Sequence, residues 1–252
     1  MRRVGPVMCV LVLWTSVFLM GQQPNPRAPD PATAVRQGSS DQDAIWIVGR
    51  YVYYADAATF IDCVSGLQYP VAQERDNAAL ESAYLEARPE PMTELVVAFE
   101  GHLARRPSME GDRQATVVIV ERFSGIRGGG GCPANVDLER TTWDVVALDG
   151  DDVERPARPT DSGPHLQLQP ADGRAIGALG CNRFFGRYAL TGQSLSFGAL
   201  GSTNMFCAGS MDIEGGFLRA LEDTTEFEID GDILALTVNG RTLAALQART
   251  LR

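Results

Sequence analysis

The stretch Gly180-Cys181-Asn182-Arg183-Phe184-Phe185-Gly186-Arg187-Tyr188 decides how the second half of this chain folds. Gly180 and Gly186 allow a positive φ or a close approach of two backbones, which a Cβ would forbid. Asn182 is a residue type that bonds to nearby backbone in a turn. Phe184, Phe185 and Tyr188 supply apolar area for a core. Cys181 offers a tie to Cys207, further along the same half. Asn182 and Arg183 are polar groups on a loop, the usual place for binding residues, and they are the candidate binding pair.

Working outward, the flanking sequence reads as a series of strands with strong turn signals. Trp143 to Leu148 opens the series, and His165 to Gln169 alternates apolar with polar before Asp172-Gly173. Asp230-Gly231 and Asn239-Gly240 are two more hairpin signals, separating Phe227–Ile229, Ile233–Val238 and Thr242–Leu246. One helix interrupts them at Met211 to Leu221. Ile213, Phe217, Ala220 and Leu221 line its inner face, while Asp212 and Glu214 suit the positive end of its dipole. Gly215 and Gly216 weaken it, so it depends on tertiary packing.

The first half has the same grain. Ile45 to Tyr53 is aromatic and β-branched, hence a strand, and Leu95–Phe99 and Thr116–Val120 are two more. Asp76 to Arg88 reads as a helix with Asp76 as its N-cap, and Leu80, Ala83, Tyr84 and Ala87 fall on one face. Arg88 precedes Pro89, which stops it. The run Gly128 to Gly131 lacks the Gly-Lys-Ser/Thr of a phosphate loop and reads as a flexible hinge between two domains.

Ahead of both halves lies a targeting signal. Arg2 and Arg3 precede an apolar run from Val4 to Met20, then Gln22, Gln23, Pro24, Asn25 and Pro26, the layout of a secretory signal peptide. An uncleaved membrane anchor is the alternative, since 17 residues sit at the short edge of what spans a bilayer. Cys9 lies inside the apolar run, so no lipidation is expected. Residues 23–44 are rich in Pro, Gln, Ser, Asp and Ala without an apolar period, and read as a disordered tether.

Composition narrows the chemistry. The net charge is −10, and all 22 basic side chains are Arg. Such a chain repels nucleic acid and anionic lipid. Without Lys it has no Schiff-base or phosphate-loop chemistry. Four cysteines remain beyond the signal segment: Cys63, Cys132, Cys181 and Cys207. An even number in an exported chain favours disulfides, and three pairings exist. One pair per half gives Cys63–Cys132 and Cys181–Cys207, each closing a loop worth about 3–5 kcal/mol on a chain-entropy argument. A zinc site competes weakly, as the chain has no C-x-x-C and no clustered His. No metal or cofactor is expected.

The second half resembles the META/HslJ domain family. The resemblance is carried by Trp143-Asp144-Val145, the Gly180–Tyr188 stretch, Leu195-Ser196-Phe197, Ser202 to Cys207, Phe217 to Leu221 and Leu234-Ala235-Leu236, in that order. It implies a compact β-rich domain with one helix, an association with envelope stress and no established enzymatic activity. The first half is similar to the C-terminal OB-like module of NlpE-type envelope lipoproteins, through Gly49 to Cys63, Ser65-Gly66, Tyr69-Pro70-Val71, Tyr84 to Arg88 and Glu121-Arg122-Phe123. That family is linked to envelope and surface-adhesion signalling and to copper tolerance. The lipobox Cys and the C-x-x-C domain of that family are missing here, so neither lipidation nor copper binding carries over.

The expectation is a mainly β protein with one helix per domain: a signal peptide at 1–22, a tether at 23–44, an OB-like barrel at 45–132 and a META-type domain at 138–252. Its function is that of a non-catalytic periplasmic or secreted protein, a stress-response or binding accessory whose partner is an envelope protein or a small ligand. It meets the membrane only through an uncleaved N-terminal segment. A hydrolase and a purely structural envelope protein are the alternatives. A hydrolase would need a base, and His102 and His165 are the only histidines. The nearest thing to a nucleophile elbow, Gly192-Gln193-Ser194-Leu195-Ser196, lies in a turn-to-strand context that such an elbow does not use. Asp151-Asp152 and Glu222-Asp223 read as solvated surface.

Overall fold

The computed structural model describes residues 44–107, 113–154 and 163–251. The signal peptide and all but the last residue of the tether lie outside the described residues. No described helix is long and apolar enough to cross a membrane.

The first half is built from β1 (Ile45–Tyr54), β2 (Ala57–Asp62), β3 (Gln68–Pro70), α1 (Asn77–Ala87), β4 (Leu95–Pro107) and β5 (Gln114–Gly129). The strands lie in the order β3-β2-β1-β4-β5, all neighbours antiparallel. A parallel bridge from Val71 to Val118 then joins the end of β3 to β5 and closes the sheet on itself. Five strands closed in this order, with a helix between the third and fourth, are an OB-type barrel. Its interior is filled by Tyr51, Phe60, Leu80, Tyr84, Val97 and Phe99, each 3% exposed or less. Phe60 meets Phe99 edge-on at 4.9 Å, and Tyr51 meets Tyr84 at 5.2 Å. Gly49 sits where the Phe60 ring leaves no room for a Cβ.

Three details depart from the sequence reading. Asp76 occupies the N-cap position of α1 but caps nothing with its side chain. Its carboxylate accepts the backbone N–H of Phe123 at 2.7 Å, so it pins the helix to β5. Ala87 is exposed, and the buried face of α1 is Asn77, Leu80 and Tyr84. Half of the expected hinge is strand: Gly128 and Gly129 belong to β5, paired with Val96 and Leu95, while Gly130 and Gly131 lie beyond it. Glycine there permits the strand's irregular register, and the ladder continues to the last pair.

The second half runs β6 (Thr142–Leu148), β7 (Asp151–Asp152), β8 (His165–Gln169), β9 (Arg174–Ala178), β10 (Arg183–Thr191), β11 (Ser194–Phe197), β12 (Gly201–Ser202), α2 (Met211–Asp223), β13 (Glu226–Asp230), β14 (Ile233–Val238) and β15 (Arg241–Ala248). The sheet order is β11-β13-β14-β15-β6-β8-β9-β10-β12, and β10 also pairs with β11, which closes a ring of eight antiparallel strands. Asn239 and Gly240 both have positive φ (50° and 74°), the two-residue turn their sequence announces. Asp230 is still in its strand, and the next turn is made by Gly231 and Asp232. Trp143 is fully buried and donates its indole N–H to the Leu138 carbonyl at 2.9 Å. Phe217 of α2 meets Phe184 of β10 edge-on at 5.9 Å, so the helix packs into the core through the ring that the Gly180–Tyr188 stretch supplies. Phe185 is on the other face of β10, 53% exposed, and adds nothing to the core.

The chain then returns to its beginning. After β15, Arg249 ion-pairs with Asp144 and donates its backbone N–H to the Thr142 carbonyl. Two residues later Leu251, 6% exposed, packs into the interior cluster of the first barrel. Replacing Leu251 with Ala removes a buried leucine, so urea unfolding of the chain should show a loss of about 2–4 kcal/mol. An unchanged midpoint would show that Leu251 does not belong to that core.

Candidate binding site

The structure separates the two candidate binding residues. Asn182 is buried, 3% exposed, and its side chain is fully engaged within the protein. Its Oδ1 accepts from the Met205 backbone N–H at 2.7 Å and the Thr203 hydroxyl at 2.9 Å. Its Nδ2 donates to the Met205 carbonyl at 2.9 Å and to Glu214 Oε2 at 2.7 Å. Two donors and two acceptors are therefore spent, and no valence is left for a ligand. Arg183 is exposed, with its backbone tied to Thr203.

The residue the sequence reading placed in the wrong role is Glu214. As an acid in the first turn of a helix it suggested a solvated dipole partner. It is 5% exposed and turned inward. Oε1 accepts the backbone N–H of Cys181 at 2.8 Å and of Asn182 at 3.2 Å, together with the Ser210 hydroxyl at 3.1 Å. Burial pushes this carboxyl's pKa up. The hydrogen bonds from Asn182, Cys181 and Ser210 outweigh it, and the net shift is downward. Ile213, expected on the inner face, is only half-buried. The sequence did carry one clue to Glu214: three residues before Phe217 and seven before Leu221, it falls on the buried face of α2.

This node and the Cys181–Cys207 disulfide, with Cα atoms 6.3 Å apart, hold the segment 203–210 against the Gly180–Arg183 turn. Gly180 adopts φ +142°, and a Cβ there would touch Glu214 and Ser210. Held in this way, Met205 and Phe206 are 52% and 82% exposed.

The other disulfide, Cys63–Cys132, with Cα atoms 5.5 Å apart, ties β2 of the first barrel to the segment that leads into the second. Beside it the two halves meet around Trp46 on the outer face of β1. The Trp46 indole N–H donates to Asp137 Oδ2 at 3.1 Å, and Arg127 grips the same carboxylate at 3.0 and 2.7 Å. The guanidinium carbons of Arg127 and Arg140 lie 5.5 and 4.9 Å from the Trp46 ring. A crevice of about 180 Å³ opens at this joint.

Neither imidazole sits beside a nucleophile among the described contacts. His165 Nδ1 is bonded to the Gly163 carbonyl at 2.8 Å, and burial lowers its pKa. His102 Nδ1 is 3.6 Å from Glu121 Oε1. Gly192-Gln193 is a hairpin loop between β10 and β11, and the Ser194 hydroxyl donates to the Thr225 carbonyl. Among the described residues no cluster of three His, Cys, Asp or Glu could hold a metal ion.

Comparison with known proteins divides the chain where its topology does. Residues 136–250 match the META domain. Residues 42–133 match the NlpE C-terminal OB domain. Over 66 residues the chain is 41% identical to the lipoprotein NlpE of Escherichia coli K12, covering 26% of this chain and 27% of that protein. This chain thus spans about a quarter of that curated relative. Among solved structures, a protein from Burkholderia xenovorans is 29% identical, covering 49% of this chain and 95% of its own, with a TM-score of 0.34. A protein from Bacteroides vulgatus is 17% identical over 46% of this chain and 96% of its own, with a TM-score of 0.33.

Glu214 yields a pH test. Its depressed pKa means the carboxylate stabilises the folded state fully above the unfolded value of about 4.3, and that contribution is lost as the pH falls through the folded value. Glu214→Gln sets an amide donor against Asn182 Nδ2 and should cost about 2–3 kcal/mol at pH 7. The gap between wild type and variant should shrink as the pH drops below about 4. Denaturant midpoints at several pH values measure it, and a gap independent of pH would contradict the charged node.

Proposed function

We propose that this chain is an exported, non-catalytic protein of the bacterial cell envelope, acting in the periplasm as a binding or stress-accessory module. The observation that carries the reading is one disulfide in each barrel, at Cys63–Cys132 and Cys181–Cys207. Disulfides of this structural kind form and persist in oxidising compartments. The Arg2-Arg3 and Val4–Met20 segment supports export, and similarity over 66 residues to a lipoprotein supports the same address. The absence of catalysis is a reading of the two histidines, whose contacts are with a carbonyl and a carboxylate. The residue placement favours binding: charged and apolar groups converge at the joint without a nucleophile and base in contact.

Fusing alkaline phosphatase to the C-terminus tests the address, with maleimide labelling of the same cells. The expected result is phosphatase activity together with cysteines that label only after reduction. An inactive fusion whose cysteines label without reductant would contradict the reading.

A further inference from the structure

The crevice at the joint has an unbalanced charge. The first barrel lines it with Trp46, Val48 and Asp62, and the second with Val136, Asp232 and the returning Leu251. Trp46, Val48 and Leu251, 7%, 8% and 6% exposed, give the crevice an apolar patch beside its polar lining. Two of the four charged residues that line it are compensated inside the protein: Arg249 by Asp144, and Asp137 by Arg127. The other two are not. Asp62 is 2% exposed, and its carboxylate accepts the backbone N–H of Ser65 at 3.0 Å and the Ser65 hydroxyl at 2.6 Å. Asp232 accepts the Gln247 amide at 2.8 Å. Neither carboxylate has a cationic partner among the described residues.

Neutral donors satisfy these oxygens, as they do for Glu214, but leave the negative charge uncancelled, so an incoming cation gains a charge-assisted contact. The apolar patch asks for an alkyl or aryl body. A dry cavity of about 150 Å³ accepts benzene, so one of about 180 Å³ has room for a body of that size. We propose that the crevice binds a small alkylammonium ion, its charge directed to the Asp62 and Asp232 side and its body against Trp46, Val48 and Leu251. No lysine in the chain can serve as an internal occupant. Because both barrels contribute walls, the occupant also fastens them to each other. The inference rests on the reading of the chain as a non-catalytic binding protein.

The test titrates the oxidised full chain with n-hexylammonium, n-hexanol and hexanoate, followed by amide NMR shifts. Hexylammonium should give saturable one-to-one shifts at Val48, Val136 and Asp232, hexanol weaker ones, and hexanoate none. Asp232→Asn keeps the shape but removes the charge, and should weaken hexylammonium about tenfold. Ala134→Trp, at an exposed position on the crevice lining, should block it without disturbing a core. A blocked tripeptide with a central lysine distinguishes the sources. Binding as tight as hexylammonium assigns the site to a partner's lysine side chain, and weaker binding assigns it to a free amine. No saturable binding, equal binding of hexanoate, or binding unaffected by Ala134→Trp would overturn the site. If the amine binds but is recovered chemically altered, the site stands and the non-catalytic reading falls. If it fails to bind a chain that is periplasmic and oxidised, the site falls and the address stands.

Discussion

Asp137 carries the fastening of one barrel to the other. It follows the disulfide at Cys132 by five residues, yet its two oxygens take the Trp46 indole N–H from β1 and both ends of the Arg127 guanidinium from β5. A bidentate, charge-assisted contact has a fixed direction as well as strength. It therefore sets the angle at which the chain leaves the first barrel. Arg140, three residues further on, lies over the same indole. From the other terminus Leu251 enters the first core, guided by the Arg249–Asp144 pair. The second barrel is thus held to the first at its entrance and at its exit, and the crevice is the space those two attachments enclose.

Within the second barrel a different carboxylate solves a different problem. The segment 203–210 must lie against a sharp turn at Gly180 without burying its own apolar side chains. Packing cannot hold Met205 and Phe206, because they face water. Hydrogen bonds can: Asn182 and Glu214 replace apolar contact with a satisfied polar network. Such a network is strong only when complete, because each unmade bond inside a protein carries its full desolvation cost. Completeness explains why Asn182 serves the fold rather than a ligand.

Much of the fold was legible in residue patterns. The last hairpin followed from Asn239-Gly240, the one before it turned one residue past Asp230, and α1 ended at Ala87 with Arg88 already extended before Pro89. Patterns failed where a residue's role depended on something remote. Asp76 and Glu214 each looked like an acid suited to a helix start, and each spends its carboxylate on a neighbouring segment. Ala55 and Asp56 make the β1–β2 turn with positive φ of 50° and 62°, a geometry that neither residue announces. Gly128 and Gly129 looked like slack because glycine's freedom was visible while their ladder partners, Val96 and Leu95, were over 30 residues away. The joint site was illegible for the same reason. Its lining comes from five separate stretches of sequence, and the residues singled out there, Cys63 and Gly231, stood out for a disulfide and a turn.

Two covalently tied barrels behave as one cooperative body because Asp137 and Leu251 join them. Native-state amide hydrogen exchange of the oxidised chain across a series of low urea concentrations tests it directly, comparing Phe99 in the first core with Leu236 in the second. The account predicts that both amides open with the same free energy and the same dependence on urea, as for a single global unfolding. Two separate isotherms, with one barrel exchanging while the other remains closed, would contradict it.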